Sequence, residues 1–418
     1  MPAELQPILN IVLGFWCEFW WLILPPLLII IFPLVWMYYI RQKYIKNIKW
    51  TTLSLTIPRE ILKTPKAMEQ LFAGLHGIKS AGNWQEQHFQ GKVQEWISFE
   101  ISGINGSIYY FIRTPEKYKN LIQSLIYAQY PEIEITESED YTRYFPPHLP
   151  NKDYDLWGTE YYLGKENCYP LRTYLYFEDI KEEKRIDPLA NLFEWLSQLK
   201  DGEAIWIQLL IKPIGDDWKK EGDKIVNKLL GKSEPKKAGT FSQFWIDFFD
   251  NLLQAPIRPP VWSEEKSGDN KLPSKAQFLS PGEKEVVEAI EHKIAKIGFE
   301  GGIRAIYLAK TDIFSKINVS AIHAYFRQFN TQNLNELKPN KAITTVIDYY
   351  FKKRRENLRK MKVYRNYRKR RLTYKLSVFN IEELATLYHF PIKTVEAPTF
   401  ERIESRKGAP PAYLPISE

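Results

Sequence analysis

Residues 352–371 hold the densest cluster of chemically active side chains in the sequence, KKRRENLRKMKVYRNYRKRR. Twelve of these side chains are Lys or Arg and one, Glu356, is acidic, so the segment carries a charge of +11. The whole chain carries +8, which leaves about −3 for all other residues together. A cationic segment this concentrated in an otherwise near-neutral chain predicts a polyanion, an anionic membrane or an acidic protein as its partner.

The residue types of this segment suit contacts with nucleic acid. Basic side chains pair with phosphate groups, and tyrosine rings placed between them stack on bases, which predicts stacking by Tyr364 and Tyr367. A solvated helix whose charge only keeps the protein soluble is the first alternative, and contact with anionic lipid is the second. The predicted polyanion-binding residues are Lys352, Lys353, Arg354, Arg355, Arg359, Lys360, Lys362, Arg365, Arg368, Lys369, Arg370 and Arg371.

The sequence contains no pattern that predicts catalysis. Gly231-Lys232-Ser233 resembles the end of a phosphate-binding loop, but that motif needs Gly at position 226, where this chain has Val226. The tripeptide also follows a predicted helix rather than a strand, so we interpret it as a helix end. The histidines are not at metal-ligand spacing, and two cysteines are too few for a zinc site. We therefore expect a non-enzymatic protein without cofactor or metal.

An uncharged run at residues 19–40 predicts a membrane anchor. Its 22 residues, at about 1.5 Å each in a helix, span a hydrocarbon core of roughly 30 Å. Basic residues follow at once and none precedes it, which predicts a cell-membrane protein with its body in the cytoplasm. The following basic residues are Arg41, Lys43, Lys46 and Lys49.

Three prolines, Pro25, Pro26 and Pro33, interrupt this run and predict a kinked helix or a hairpin within residues 8–40. A cleaved signal peptide is the alternative, but the missing basic start and the length of the run disfavour it. About 300 residues separate the run from the basic segment, which at this level disfavours lipid contact by that segment.

The pattern of the remaining chain predicts an α+β fold. Residues 51–137 read as strand, helix, hairpin, helix and strand, which is the ferredoxin-like split βαβ order. A similar order recurs from a predicted strand at Leu171–Phe177, with additional helices, so we expect a second, decorated ferredoxin-like domain. The predicted divisions are a membrane anchor with a basic juxtamembrane segment (1–49), a first ferredoxin-like domain (50–142), a second α+β domain (143–342) with a polar insertion (232–280), a strongly basic helix (343–371), and a closing segment with a Pro-rich arm (372–418).

Five stretches of the chain resemble a known family. They are residues 58–78, 95–103, 125–142, 379–391 and 405–415. These stretches resemble the non-catalytic N-terminal region of membrane-anchored DNA-translocating ATPases of the conjugation and type IV secretion coupling-protein class. In that family the stretch similar to 405–415 leads into the motor domain, whereas this chain stops at Glu418.

The resemblance implies a membrane-anchored, non-enzymatic scaffold subunit that works with a separate hexameric-type ATPase subunit, possesses no ATP site of its own, and forms an oligomer within a complex. The resemblance makes DNA a possible partner, but the sequence does not name the cargo or decide between DNA, RNA, lipid and protein as the ligand of the basic segment. The alternative function is a membrane-tethered nucleic-acid-binding protein without a motor partner. Residues 379–415 are expected to dock the motor, although residues 379–391 would alternatively complete the second domain's core. The predicted docking residues are Leu384, Leu387, Tyr388, Phe390, Pro410 and Pro411.

Overall fold

The computed structural model describes residues 6–58, 61, 63–80, 82–177, 186–231, 279–347 and 350–391. Element numbers below refer to these residues. The helices are α1 (Gln6–Asn47), α2 (Lys66–Leu75), α3 (Trp84–His88), α4 (Lys119–Gln129), α5 (Ala190–Ser197), α6 (Asp217–Leu229), α7 (Pro281–Ala295), α8 (Lys316–Arg327), α9 (Lys352–Arg368) and α10 (Ile381–Leu387).

Helix α1 is continuous, with Pro25, Pro26 and Pro33 inside it, so the predicted hairpin is not formed. Within it, the stretch Leu24–Asn47 is long enough and apolar enough to cross a membrane. Its side chains are almost all exposed rather than packed in the body of the protein, as expected of a helix that faces lipid.

The strands form one antiparallel sheet, and their lengths range from three to thirteen residues. They are β1 (Trp50–Thr56), β2 (Ile97–Ile104), β3 (Ser107–Pro115), β4 (Glu134–Glu137), β5 (Tyr154–Leu163), β6 (Glu203–Pro213), β7 (Gly298–Lys310), β8 (Leu337–Pro339) and β9 (Ser377–Asn380). Their order is β4-β1-β3-β2-β6-β7-β5-β8, with β9 paired to the first residues of β7.

The two halves of this sheet meet at β2 and β6. These strands pair along their length, from Ile97 opposite Ile211 to Ile104 opposite Ala204. The segments that we predicted as two domains therefore share one sheet. Counted outward from this junction, the first half runs β2-β3-β1-β4 and the second runs β6-β7-β5-β8, so the two halves have equivalent strand orders.

Alternation along the central strands gives the sheet two apolar faces. In β6, Ile205 and Ile207 belong to the large core beneath α2, α4, α5, α8 and α10. Ala204 and Trp206 point to the opposite face, where α9 covers a smaller core. The basic segment is therefore a structural layer of the molecule as well as a charged surface.

Two sequence assignments differ from the structure. The predicted strand at Leu171–Phe177 is a loop with a short 3-10 helix at Tyr174–Tyr176, and the strand that fills its place is β5. The predicted basic helix begins at Lys352 rather than at 343. Residues 232–278, which contain most of the predicted polar insertion, lie outside the described residues.

Candidate polyanion-binding helix and the network beneath it

The outward side of α9 and its C-terminal extension form the cationic surface of the described structure. Eight of the twelve predicted polyanion-binding residues are exposed there: Lys352, Lys353, Arg354, Arg355, Lys362, Arg365, Lys369 and Arg371. Two apolar side chains, Leu358 and Met361, are also exposed on this side. Because phosphate contacts need accessible charges, these eight residues define the candidate site, which we call the cationic surface.

The start of α9 is electrostatically unfavourable. Lys352 to Arg355 occupy its first turn, which has no acidic residue, and a helix N-terminus already carries partial positive charge. Phe351, just before the helix, has a left-handed backbone with φ of +60°. The helix must therefore be held by contacts along its inward side.

Tyr364 and Tyr367 supply those contacts, and the prediction that they stack on bases does not agree with their positions. Both rings are buried against Trp206, with centroid separations of 6.3 and 5.2 Å. The Tyr364 hydroxyl donates to the Pro146 carbonyl at 2.8 Å, and the Tyr367 hydroxyl lies 2.7 Å from that of Tyr141. Burial raises the pKa of Tyr364 to about 12, so the hydroxyl stays neutral and remains a donor.

Three further basic residues bind the body of the protein. Lys360 Nζ pairs with Asp155 at 2.6 Å, and Arg359 donates to the Thr344 carbonyl at 2.8 Å. Arg368 donates to the Pro147 carbonyl at 3.0 Å. These contacts fasten α9 to β5, to the loop that precedes β5 and to the segment that follows β8.

Arg370 is buried and holds the C-terminal end of the basic segment in place, so it is not available to a polyanion. Its guanidinium contacts Glu100 through Nε at 2.9 Å and Nη2 at 3.0 Å. The same Nη2 donates to Asp140 at 2.9 Å. Its backbone is also left-handed, with φ of +46°. This bidentate geometry is the strong form of an Arg–carboxylate contact.

The charge of Arg370 lowers the pKa values of both Asp140 and Glu100. Burial alone would raise the pKa of the Asp140 carboxyl, but the charge and hydrogen bonds of Arg370 outweigh it and lower this pKa to about 2. The pKa of Glu100 is likewise lowered, because Arg370 outweighs the effect of burial. Both carboxylates are therefore ionised at neutral pH.

Arg370 joins a row of buried polar side chains that crosses the sheet. The β-pairing places Glu100 of β2 opposite Gln208 of β6, Gln208 opposite Arg304 of β7, and Arg304 opposite Glu160 of β5. Arg304 donates to Gln208 and Glu160, each at 2.7 Å, and Gln208 donates to Glu100 at 3.0 Å. We call these four residues with Arg370 and Asp140 the buried network.

The buried network also binds the backbone of the basic segment. Arg304 donates to the Arg371 carbonyl at 3.0 Å, and Gln208 donates to the Tyr367 carbonyl at 3.3 Å. Sequence reasoning missed the network, although each of its four strand residues is a polar residue in the middle of an apolar strand. That signal marks buried polar positions, which require partners.

The C-terminal end of the basic segment lies close to the end of α1. Trp96 Nε1 donates to the Arg370 carbonyl at 2.8 Å. The Trp96 ring also contacts that of Trp50, three residues after α1, with centroids 5.3 Å apart. The long separation in sequence therefore does not argue against lipid contact by this end of the segment.

An aromatic cleft of about 500 Å³ opens on the same face of the sheet as α9. Tyr109 and Phe111 of β3 lie on its floor with near-parallel rings, and Tyr144 on its rim is 79% exposed. Its charged lining is Glu139, Asp201 and Lys310, so it does not extend the cationic surface. Aromatic side chains in the cleft are accessible for stacking, and basic side chains on α9 are accessible for ionic contacts.

The predicted docking residues Leu384, Leu387, Tyr388 and Phe390 are buried in the large core, so they are not exposed anchors. The Tyr388 ring contacts the ring of Phe99, and the Phe390 ring contacts that of Tyr130. The alternative interpretation, that residues 379–391 complete a core, agrees with this packing. Pro410 and Pro411 lie outside the described residues.

Gly231 lies two residues after the end of α6 and has φ of +67°, the left-handed conformation that commonly ends a helix. This agrees with its interpretation as a helix end; Lys232 and Ser233 lie outside the described residues. Among the described residues, no group of three or more His, Cys, Asp or Glu is arranged to hold a metal ion.

The fold and site define an α+β protein with an apolar N-terminal helix, a large antiparallel sheet, and an exposed cationic surface fixed to one face of that sheet. The chain belongs to the family described as "Domain of unknown function (DUF8128)", whose model matches residues 46–402. The match includes the whole sheet and α9. No curated protein matches the chain.

Proposed function

We propose that this protein is a membrane-anchored, non-enzymatic scaffold subunit of a DNA-translocation or type IV secretion-like machine, and that it acts with a separate ATPase subunit. The observation that carries the proposal is the construction of the basic segment. Eight of its basic side chains are exposed, while its opposite side is bonded to a nine-stranded sheet. Because the backbone of this segment is already fixed, binding of a polyanion costs little further backbone freedom.

Such a surface suits sequence-independent contact with moving DNA better than recognition of one specific DNA sequence. Contacts between basic side chains and phosphates are independent of base identity and allow the polymer to slide. A scaffold that guides DNA toward a motor needs both properties. It does not need to read bases, which agrees with the burial of Tyr364 and Tyr367.

Helix α1 anchors this scaffold in the cell membrane in our proposal. Its apolar stretch is exposed, and the basic residues Arg41, Lys43, Lys46 and Lys49 at its end are exposed as well. Their position on one side only supports a cytoplasmic body. DNA in the cytoplasm would then reach the cationic surface.

The sheet consists, in our proposal, of two ferredoxin-like split βαβ units joined edge to edge. The strand orders β4-β1-β3-β2 and β8-β5-β7-β6 support it, because each is the order of that motif. The second unit is decorated by α6 and α7, which are inserted between β6 and β7. Oligomers of such a subunit around a hexameric-type ATPase would surround the DNA path.

DNA binding tests the charged surface directly. Neutralising about six phosphates gives a log–log salt slope near −4 to −5. We expect the combined replacement of Lys353, Arg354, Lys362, Arg365 and Lys369 by Gln to flatten this slope and to weaken binding equally for all sequences. A variant with the same charge change elsewhere serves as the control, with Gln at the exposed residues Lys66, Lys152, Lys200, Lys224 and Lys284. Equal affinities of the two variants would contradict the proposal.

The motor partner is tested by native purification from membranes, with mass spectrometry of the co-purified chains. We expect an ATPase with Walker motifs in stoichiometric amount. Purified protein alone should not turn over ATP. A complex without any such ATPase, from membranes in which the protein still binds DNA, would favour the alternative below.

The alternative is a membrane-tethered nucleic-acid-binding protein without a motor. The aromatic cleft favours it, because exposed rings beside a cationic helix suit single strands. A single-strand preference that Tyr144→Ala abolishes would support this alternative. Equal affinity for single and double strands, unchanged in Tyr144→Ala, supports the scaffold instead.

A further inference from the structure

Two large aromatic side chains are exposed on the connection between α2 and β2. Trp84 and Phe89 are each 65% exposed, and their rings meet edge to face with centroids 5.9 Å apart. We call residues 84–89 the aromatic tip. Aromatic rings of this size contribute strongly when they are buried, so an exposed pair indicates a surface that meets an apolar partner.

The aromatic tip is internally braced. Asn83 and Glu86 form a reciprocal cap at the start of α3, and Glu86 also pairs with Lys92 at 2.9 Å. The Gln87 side chain donates to the Gly82 carbonyl at 2.7 Å. The two rings are therefore held outward before any partner binds, which lowers the entropy lost on binding.

The aromatic tip and the strand that follows it are fixed to one side of α1. Trp36 Nε1 donates to the His88 carbonyl at 3.3 Å, Ile40 is buried, and the Tyr44 hydroxyl donates to Glu95 at 3.0 Å. These three α1 residues are four positions apart, so they share one face of the helix.

Gly91 permits this contact. Its φ is +69°, and a Cβ there would lie 2.4 Å from the backbone carbonyl carbon of Ile40. Both the backbone conformation and the close approach thus require glycine.

The contact with α1 fixes the position of the aromatic tip along the axis of that helix. Trp36, Tyr38 and Tyr39 close the apolar run and are exposed, and Arg41 follows directly. Trp and Tyr in such positions lie at the membrane–water interface. A segment bonded to Trp36 lies at the same level.

We propose that Trp84 and Phe89 insert into the interfacial layer of the bilayer beside α1. The inference rests on the proposed anchoring by α1. Lipid is the occupant because the rings continue the aromatic level of α1, and because the charge of Glu86 is paired with that of Lys92. The body then meets the membrane at two places, which fixes its rotation about α1 and hence the direction in which the cationic surface points.

Site-directed spin labelling of the full chain in phosphatidylcholine nanodiscs tests this proposal. Labels are placed by Trp84→Cys, Phe89→Cys, Ile30→Cys and Ile317→Cys, with both native cysteines replaced by Ala. Ile30 lies within the apolar run and Ile317 on α8; they are 65% and 66% exposed. The measurement is the accessibility of each label to oxygen and to a water-soluble nickel chelate.

We expect the labels at 84 and 89 to be several-fold less accessible to nickel than the label at 317, and the label at 30 to be the least accessible. A buried label at 30 with water-accessible labels at 84 and 89 overturns this inference and leaves the anchor intact. A water-accessible label at 30 overturns both this inference and the anchoring by α1.

A glycine variant tests how α1 holds the aromatic tip. Gly91→Ala should raise nickel accessibility at 84 and 89 without changing the label at 30. Gly77→Ala, where a Cβ meets nothing within 4 Å, is the control and should leave all of these labels unchanged. If Gly91→Ala left the labels at 84 and 89 unchanged, the role of α1 in holding the aromatic tip would be refuted.

Discussion

Lys369 and Arg370 are adjacent in the sequence and carry the same charge, but one belongs to the cationic surface and the other to the buried network. Lys369 is exposed, whereas Arg370 is 2% exposed and bonded to Glu100 and Asp140. Along the whole basic segment, the basic residues on the outward side are likewise exposed, and those on the inward side are bonded to the body of the protein. A count of basic residues therefore overstates the binding surface, because some of the positive charge is neutralised inside the fold.

Removing the charge at the buried position should have the largest effect. Arg370→Met leaves the fully buried Glu100 without its ion-pair partner and leaves Asp140 paired with Arg113 alone, and we expect a loss of about 3–5 kcal/mol in the free energy of unfolding. Lys369→Met is the matched control and should change stability by less than about 0.5 kcal/mol. Urea denaturation of both variants measures the difference, and similar small losses in both would refute the buried role of Arg370.

Two leucines extend the comparison to the C-terminal region. Leu384 is fully buried in the large core, and Leu358 is 55% exposed on the cationic surface. Leu384→Ala should cost about 2–5 kcal/mol of stability, because it removes buried contacts and leaves a cavity. Leu358→Ala should be nearly neutral. Stable Leu384→Ala protein that had lost only a binding partner would restore the docking role that we predicted from sequence.

Acid should weaken the buried network before it affects the cationic surface. The pKa of Asp140 is lowered from 3.8 to about 2 in the folded protein. Its contribution, about 2 kcal/mol, is therefore present above pH 4 and is lost as the pH falls from about 4 to about 2. Denaturation of wild type and Asp140→Asn across this range measures it, and the variant should show a flatter dependence. Parallel curves for the two proteins would exclude this linkage.

The smallest effect is expected where a single hydroxyl is removed. Tyr367→Phe deletes the contact with Tyr141 and should cost about 1 kcal/mol of stability without changing DNA affinity. Fluorescence anisotropy with labelled DNA measures the affinity. If Tyr367→Phe weakened binding while stability was unchanged, the ring would be contacting the ligand after all.

The fold was predictable where local signals agreed with long-range pairing. The hairpin of β2 and β3 follows from alternation and its turn, Gly103–Gly106. The strand β5 was missed because Gly158, Thr159 and Glu160 stand together in its middle, so its apolar residues do not alternate with polar ones along the sequence. Leu171–Phe177 is rich in residues that favour strands but is instead bonded to α10, through Leu171 to Glu383 and Tyr174 to Thr386.

The sequence predicted a cluster of basic residues, but it did not predict which of these residues are exposed. Exposure depends on partners that are far away in sequence, since Arg370 and Glu100 are 270 residues apart. A single sequence contains no signal that pairs these two residues. The isolated polar residues within β2, β5, β6 and β7 do show, however, that some buried charges need opposite partners.

The strands at the two ends of the sheet order have a consequence for the association of the protein with copies of itself. β4 has four residues and β8 has three, and they carry Glu134, Glu137 and Pro339. Short edges with charges or proline offer few unpaired backbone groups to a strand from another molecule. Because the long strands β2 and β6 pair with each other in the middle of the sheet, the aggregation-prone edges are covered within the chain. These edges therefore favour little fibrous association between copies of the chain, even at high concentration.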